Sequence, residues 1–282
     1  MAALASILLL LAVAAARAAP PTTAANRLAA RRDAGRLLGR VLLPAGARPL
    51  ASPPPALRSP FQRAGTPAVV DERALWQAPQ PLAQVLAFER AHRPRGSRLV
   101  LEGTGTDASG RSISGLGFAW PALPGRLSSR ILLVAATSRP DGSTALRVDA
   151  QVVWVVARSP REAVPAGARQ VDLREGRRPP VRFTAPAEVA RIVRWLDELP
   201  VVQPGGYACP DLVWGPVIVL DVRGGGGALL ARARFALYGP GRSLVSTQCN
   251  PLGFAIRGRR ERPLVGGRFL LRLERLLGRS RR

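Results

Sequence analysis

The stretch LRVDAQVVWVV, Leu146 to Val156, alternates with a period of two. Leu146, Val148, Ala150, Val152, Trp154 and Val156 share one face of an extended chain. Arg147, Asp149 and Gln151 share the other, which turns apolar at Val153 and Val155. Successive side chains of a strand point to opposite faces of its sheet. The segment therefore reads as a strand of an antiparallel sheet with one face in the core, the second face being solvated at its start and covered at its end. Upstream, Pro140-Asp141-Gly142 is a turn signal, and Ile131 to Ala136 before it is apolar throughout, as in a central strand. Leu99 to Thr104 and the glycine-broken run Ser112 to Trp120 supply two more strands. Pro81 to Ala91 reads as a helix, with Leu82, Val85, Leu86 and Phe88 apolar and His92-Arg93-Pro94 and Gly96 to end it.

The second half follows the same order. Thr184 is placed to cap a helix with Pro186 in its first turn, and Val189, Ile192, Val193, Leu196 and Leu199 form its 3.6-residue stripe, with Pro200 just past the end. Ile218, Leu220 and Val222 mark a strand, and a turn follows at Gly224 to Gly227. Leu229, Ala231, Ala233, Phe235 and Leu237 then alternate with Arg232 and Arg234, and Phe254 and Ile256 mark a further short strand. A closing helix over Gly267 to Leu277 sets Leu270, Leu273 and Leu277 against Arg268, Arg272 and Arg275. The expected fold class is α+β: antiparallel sheets with a few packed helices, arranged as two similar helix-plus-strands modules over residues 68–165 and 166–282.

Ahead of them, Leu4 to Val13 reads LASILLLLAV, and Ala16-Arg17-Ala18 follows it. An apolar core of this length before an A-x-A site is the pattern of a signal peptide over residues 1–18, although Met1-Ala2-Ala3 lacks the usual basic side chain. An uncleaved anchor is the alternative, but the stretch falls short of the ~20 apolar residues of a membrane span. Residues 19–67 read as a Pro/Arg-rich spacer, mostly extended, with a basic amphipathic helix over 26–43. Arg27, Arg31, Arg32, Arg36 and Arg40 stand there between Leu28, Leu37, Leu38, Val41 and Leu42. The preferred reading packs this helix on the body; the other lays its arginines on an anionic surface.

The formal charge is +24, and every basic residue is Arg, because the chain has no Lys. Such a surface attracts anionic polymers and lipid headgroups, and salt weakens the attraction. Nucleic acid is a poor fit, because the arginines are spread along the chain rather than gathered on one element beside aromatics.

Little in the chain carries catalytic chemistry. The only His is His92, at a helix end, so a base for a Ser or Cys nucleophile is lacking. Absence of Lys removes Schiff-base and Ser–Lys chemistry. Gly110-Arg111-Ser112-Ile113-Ser114 fails the G-x-S-x-G elbow at its fifth residue, and Gly103-Thr104-Gly105 lacks the strand-to-helix context of a dinucleotide site. Glu102, Asp149 and Asp221 sit in or beside strands as carboxylates open to a raised pKa, but no spacing pairs them. Trp154 and Trp195 read as core. Cys209 and Cys249, the only cysteines, each lie near a Pro in a loop, and they form either a disulfide or a pair of free thiols. Two Cys and a remote His cannot complete a zinc shell, and no cofactor is expected.

Three segments carry a resemblance: LRVDAQVVWVVARSPREAVPAGARQV over 146–171, LPVVQPGGYACP over 199–210 and PLGFAIRGRRERPLVGG over 251–267. Together they resemble a group of exported proteins from high-GC actinobacteria with no assigned activity. The resemblance implies export and the pairing of Cys209 with Cys249, and carries over no catalytic residue. The expected function is thus that of a non-enzymatic envelope protein. It would bind an anionic polymer, a lipid surface or a protein partner through Arg-rich faces. A carboxylate-dependent hydrolase acting on envelope material and a nucleic-acid binder are the alternatives.

Overall fold

A computed structural model describes residues 22–106, 110–209, 214–238 and 246–280. The expected signal peptide, residues 1–18, lies outside the described residues.

The first sheet contains β1 (Arg48–Pro49), β2 (Val69–Ala78), β3 (Arg98–Thr106), β4 (Ser112–Ala119), β5 (Leu127–Ser138) and β6 (Thr144–Trp154), in the antiparallel order β1-β2-β6-β5-β4-β3. The alternating segment is β6, near its centre. Leu146, Val148, Ala150 and Val152 are buried with Leu132, Val134 and Ala136 of β5, under α1 (Thr23–Leu38) and α2 (Leu82–Ala91). Helix α1 sits close to the sheet because Ala30 and Ala34 line its inner face beside Leu37. Polar contacts fix its position. Asn26 donates to the carbonyls of Gly125 and Val155 at 3.0 and 2.8 Å, and buried Asp33 accepts from Arg130 of β5 at 2.6 and 2.9 Å.

The opposite face of β6 differs from the expectation. Arg147, Asp149 and Gln151 are buried rather than solvated. Residues assigned to the spacer cover them. A short 3-10 turn, Pro55–Leu57, lies across this face with Leu57 fully buried, and Leu50 and Phe61 pack beside it. A buried charge needs a partner, and here Arg147 and Asp149 supply one another. Arg147 donates from Nε and Nη2 to Asp149 at 2.7–2.9 Å, and from Nη1 to the carbonyls of Leu57 and Arg58 at 3.0 and 2.6 Å. Gln151 donates to the Gln62 carbonyl at 2.8 Å and to Asp71 at 3.1 Å. The Pro-rich run is thus tied down by hydrogen bonds to its carbonyls, which composition alone does not reveal. Gly115 completes the fit: a Cβ there would lie 2.3 Å from the Phe61 ring.

The second sheet contains β7 (Gln170–Glu175), β8 (Val181–Phe183), β9 (Trp214–Arg223), β10 (Leu229–Tyr238), β11 (Gly253–Ile256) and β12 (Arg259–Arg260), in the antiparallel order β12-β11-β10-β9-β7-β8. Helices α3 (Pro186–Asp197) and α4 (Phe269–Ser280) cover one face, burying Val189, Ile192, Leu196, Leu270 and Leu273 against Val171, Leu220, Val222, Ala231, Ala233 and Phe235. Ala185 rather than Thr184 occupies the α3 N-cap, with no side-chain cap, and Pro186 fills the first turn. In α4 the inner stripe includes Leu276; the Leu277 side chain lies outside the described residues.

The apolar side chains form two large clusters, one on each sheet. The halves share a strand-helix-strands order but not a winding. In the first, the strand after the helix (β3) forms the far edge and the meander returns to β2; in the second, the strand after α3 (β9) pairs directly with β7 and the meander leads away. The match of element order therefore does not extend to sheet topology. Polar contacts connect the halves. Arg262 binds Glu162 at 2.7 and 2.5 Å and the Ala157 carbonyl at 3.1 Å, and the Gly206 amide donates to the Gly65 carbonyl at 2.7 Å.

Candidate functional site

Alternation along β10 sends Ala231, Ala233 and Phe235 into the second core and Arg232 and Arg234 out through the opposite face of the sheet, where both are exposed. The same alternation in β7 buries Val171 and Leu173 and directs Asp172 and Arg174 to that face. Strand pairing then builds a row across the sheet. Arg182 of β8 faces Asp172 of β7, Asp172 faces Asp221 of β9, and Asp221 faces Arg232 of β10.

Two carboxylates directly opposite each other repel, and here arginines neutralise them. Asp221, with 0 % of its surface exposed, accepts from Arg232 Nε and Nη2 at 2.6 and 3.0 Å and from Arg174 Nη2 at 2.8 Å. Asp172 accepts from Arg182 Nε and Arg223 Nε, both at 3.0 Å, and from Gln170 at 2.8 and 2.9 Å. Arg223 also reaches Asp221 at 3.4 Å and so bridges the two. Burial by itself would raise the Asp172 pKa, but the hydrogen bonds from Arg182, Gln170 and Arg223 outweigh it and hold the carboxyl below its ordinary range. The hydrogen bond from Arg232 to Asp221 holds that guanidinium pKa above its own. Both carboxylates anchor the arginines around them. The arginines outnumber them, so the face keeps a positive charge. Beside the row lies a shallow concavity of about 370 Å³, lined by Arg174, Gly176, Val217, Val219, Arg232 and Arg234. Guanidinium groups set out in this way can donate charge-assisted hydrogen bonds to an oxyanion.

The carboxylates singled out in the sequence are not brought together. Glu102, on the edge strand β3, pairs with Arg90 at 2.5 and 2.9 Å on the surface. Asp149 is taken up by Arg147 in the first half, and Asp221 by the arginine row in the second. His92 ends α2, stacked on Phe88 with ring centroids 4.0 Å apart and its Nδ1 2.9 Å from the Phe88 carbonyl oxygen. Among the described residues no group of three or more His, Cys, Asp or Glu could hold a metal ion. Trp154 and Trp195 pack against the first and second cores. Cys209 and Cys249 are joined by a disulfide. No helix among the described residues is long and apolar enough to cross a membrane.

Arg27, Arg31, Arg32 and Arg36 of α1, and Arg40 beyond its C-cap, are exposed. Arg36 pairs with Asp33 at 3.0 Å, and the Arg27 guanidinium lies 5.5 Å from the Trp154 ring centroid. The helix thus packs on the sheet while its arginines face solvent.

Sequence reasoning did not gather Asp172, Arg174, Arg182 and Arg223 into the site. Gln170-Val171-Asp172-Leu173-Arg174 does alternate, which is a strand signal, but the pairing of Asp172 with Asp221 depends on long-range register. Compared with protein-family models, curated proteins and solved structures, the chain gives no match.

Proposed function

We propose that this chain is a non-enzymatic, exported cell-envelope protein that binds an anionic polymer through the outward face of its second sheet. The observation that supports this most strongly is the arginine row locked around buried Asp221 and Asp172 on a face that no helix among the described residues covers. Arginines fixed in advance lose little side-chain entropy when they meet an anion. The exposed arginines of α1 add a second, less ordered positive surface. Export has independent support. A disulfide suits an oxidising compartment, and the first 18 residues read as a cleavable signal.

The test is retention of the purified, oxidised chain on immobilised polygalacturonate and poly(glycerol phosphate) across a salt series. The expected result is binding whose logarithm falls linearly with the logarithm of salt concentration. Arg174→Gln with Arg232→Gln should weaken it more than Arg31→Gln with Arg32→Gln on α1. No retention on either polymer at low salt sinks the proposal.

A further inference from the structure

We infer that the concavity bounded by Arg174, Arg232 and Arg234 is a subsite for the phosphodiester groups of a polyol phosphate chain, a reading that rests on the polymer-binding function above and specifies its ligand. Asp221 is the organising residue. It lies at the bottom of the face and holds Arg174 from β7 and Arg232 from β10, on either side of β9. A guanidinium carries five N–H donors, and the contacts with Asp221 use Nη2 of Arg174 and Nε and Nη2 of Arg232. Donors remain on both for a ligand. Arg234, two residues from Arg232 on the same strand face, adds a third guanidinium to the same concavity.

Three guanidinium groups, one from β7 and two from β10, border the concavity from its two sides. A tetrahedral phosphate presents oxygens outside any single plane and can accept from all of them, whereas a carboxylate has two oxygens in one plane. Val217 and Val219 are apolar members of the lining, suited to the methylene groups between phosphates. Among the described residues the lining has no aromatic side chain, and proteins that bind single-stranded nucleic acid use aromatics as stacking platforms. The chemistry therefore favours a polyol phosphate over a nucleic acid. From Arg182 to Arg232 the row crosses three strand spacings, about 14 Å, room for an extended chain rather than a lone ion.

The test is biolayer interferometry of the oxidised chain with poly(glycerol phosphate), with polygalacturonate of matched charge and with single-stranded oligodeoxythymidine. We expect poly(glycerol phosphate) to bind tightest. Arg234→Gln and Arg174→Gln should each weaken it about tenfold, the size of one charge-assisted contact, with a much smaller effect on polygalacturonate. Arg182→Gln, outside the concavity, should weaken both polymers alike. Arg234 is exposed, so an unchanged urea midpoint in Arg234→Gln shows that the fold is intact. Equal affinity for the two polymers, with Arg234→Gln shifting both alike, overturns the phosphate subsite and leaves polymer binding standing. Failure to bind either polymer removes both proposals. Tighter binding to oligodeoxythymidine overturns the polyol phosphate in favour of nucleic acid.

Discussion

Glu89→Gln should remove a pH-dependent weakness from the first sheet. Glu89 lies on α2 with only 3 % of its surface exposed, and its Oε1 has no hydrogen-bond partner. Burial alone pushes its pKa from 4.5 up to about 7. The folded state therefore holds the proton more tightly than the unfolded state does. Below pH 4.5 both states are protonated and stability is at its full value. Between pH 4.5 and about 7 the unfolded chain releases the proton first, so stability falls as pH rises. The interval between those two values corresponds to a loss of about 3 kcal/mol, complete above pH 7. Gln has nearly the same shape and stays neutral throughout. Urea unfolding of the oxidised chain and of Glu89→Gln at several pH values from 4 to 8 gives the difference profile. Asp71 and Asp197, whose pKa values burial also raises, are present in both proteins and cancel. The variant should match the parent near pH 4 and exceed it by up to about 3 kcal/mol near pH 8. A difference that does not change with pH would refute the reasoning.

Three further outcomes follow from the packing. Asp149→Asn or Arg147→Met alone leaves a buried charge without its partner and should cost about 3–5 kcal/mol in urea unfolding, while the double variant Arg147→Met with Asp149→Leu recovers most of the loss. Gly115→Ala drives a methyl into Phe61 and should cost about 1–3 kcal/mol by overpacking, with Phe61→Ala easing the clash in the same background. Reduction, or Cys209→Ser with Cys249→Ser, opens a link spanning 40 residues and should lower stability by roughly 4 kcal/mol, read as a reductant-dependent urea midpoint in the parent alone.

Much of the fold was legible because its signals are local. Period-two alternation marked β6 and β10 and the 3.6-residue stripe marked α3, and most of the residues those patterns named are buried, although on β6 the other face is buried as well. The α1 helix was legible only in outline: it spans Thr23–Leu38 rather than 26–43, and its inner face is Ala30, Ala34 and Leu37, while Leu28 and Leu42 of the expected apolar stripe are exposed. Less legible was the cover over β6. Pro44 to Pro67 has the composition of a spacer, and only its backbone carbonyls, which sequence does not distinguish, meet Arg147 and Gln151. Arg147, Asp149 and Gln151 look like a solvated face because charged residues are seldom buried without partners; Arg147 and Asp149 partner each other, but the segment that covers them and Gln151 lies some 80–90 residues away.

By itself the sequence determined the α+β class of this protein, several of its strands and helices with their apolar sides, and its all-arginine basic character, but it did not mark β2 or β7. Tertiary structure alone decided where the charges meet. Register between β7, β9 and β10 places Asp172 beside Asp221 and sets arginines from separate strands around them. Side-chain periodicity is a property of one strand, whereas register belongs to a pair, fixed by the packing of the whole sheet on its helices. The arginine row around Asp172 and Asp221 therefore exists only once the second half has folded.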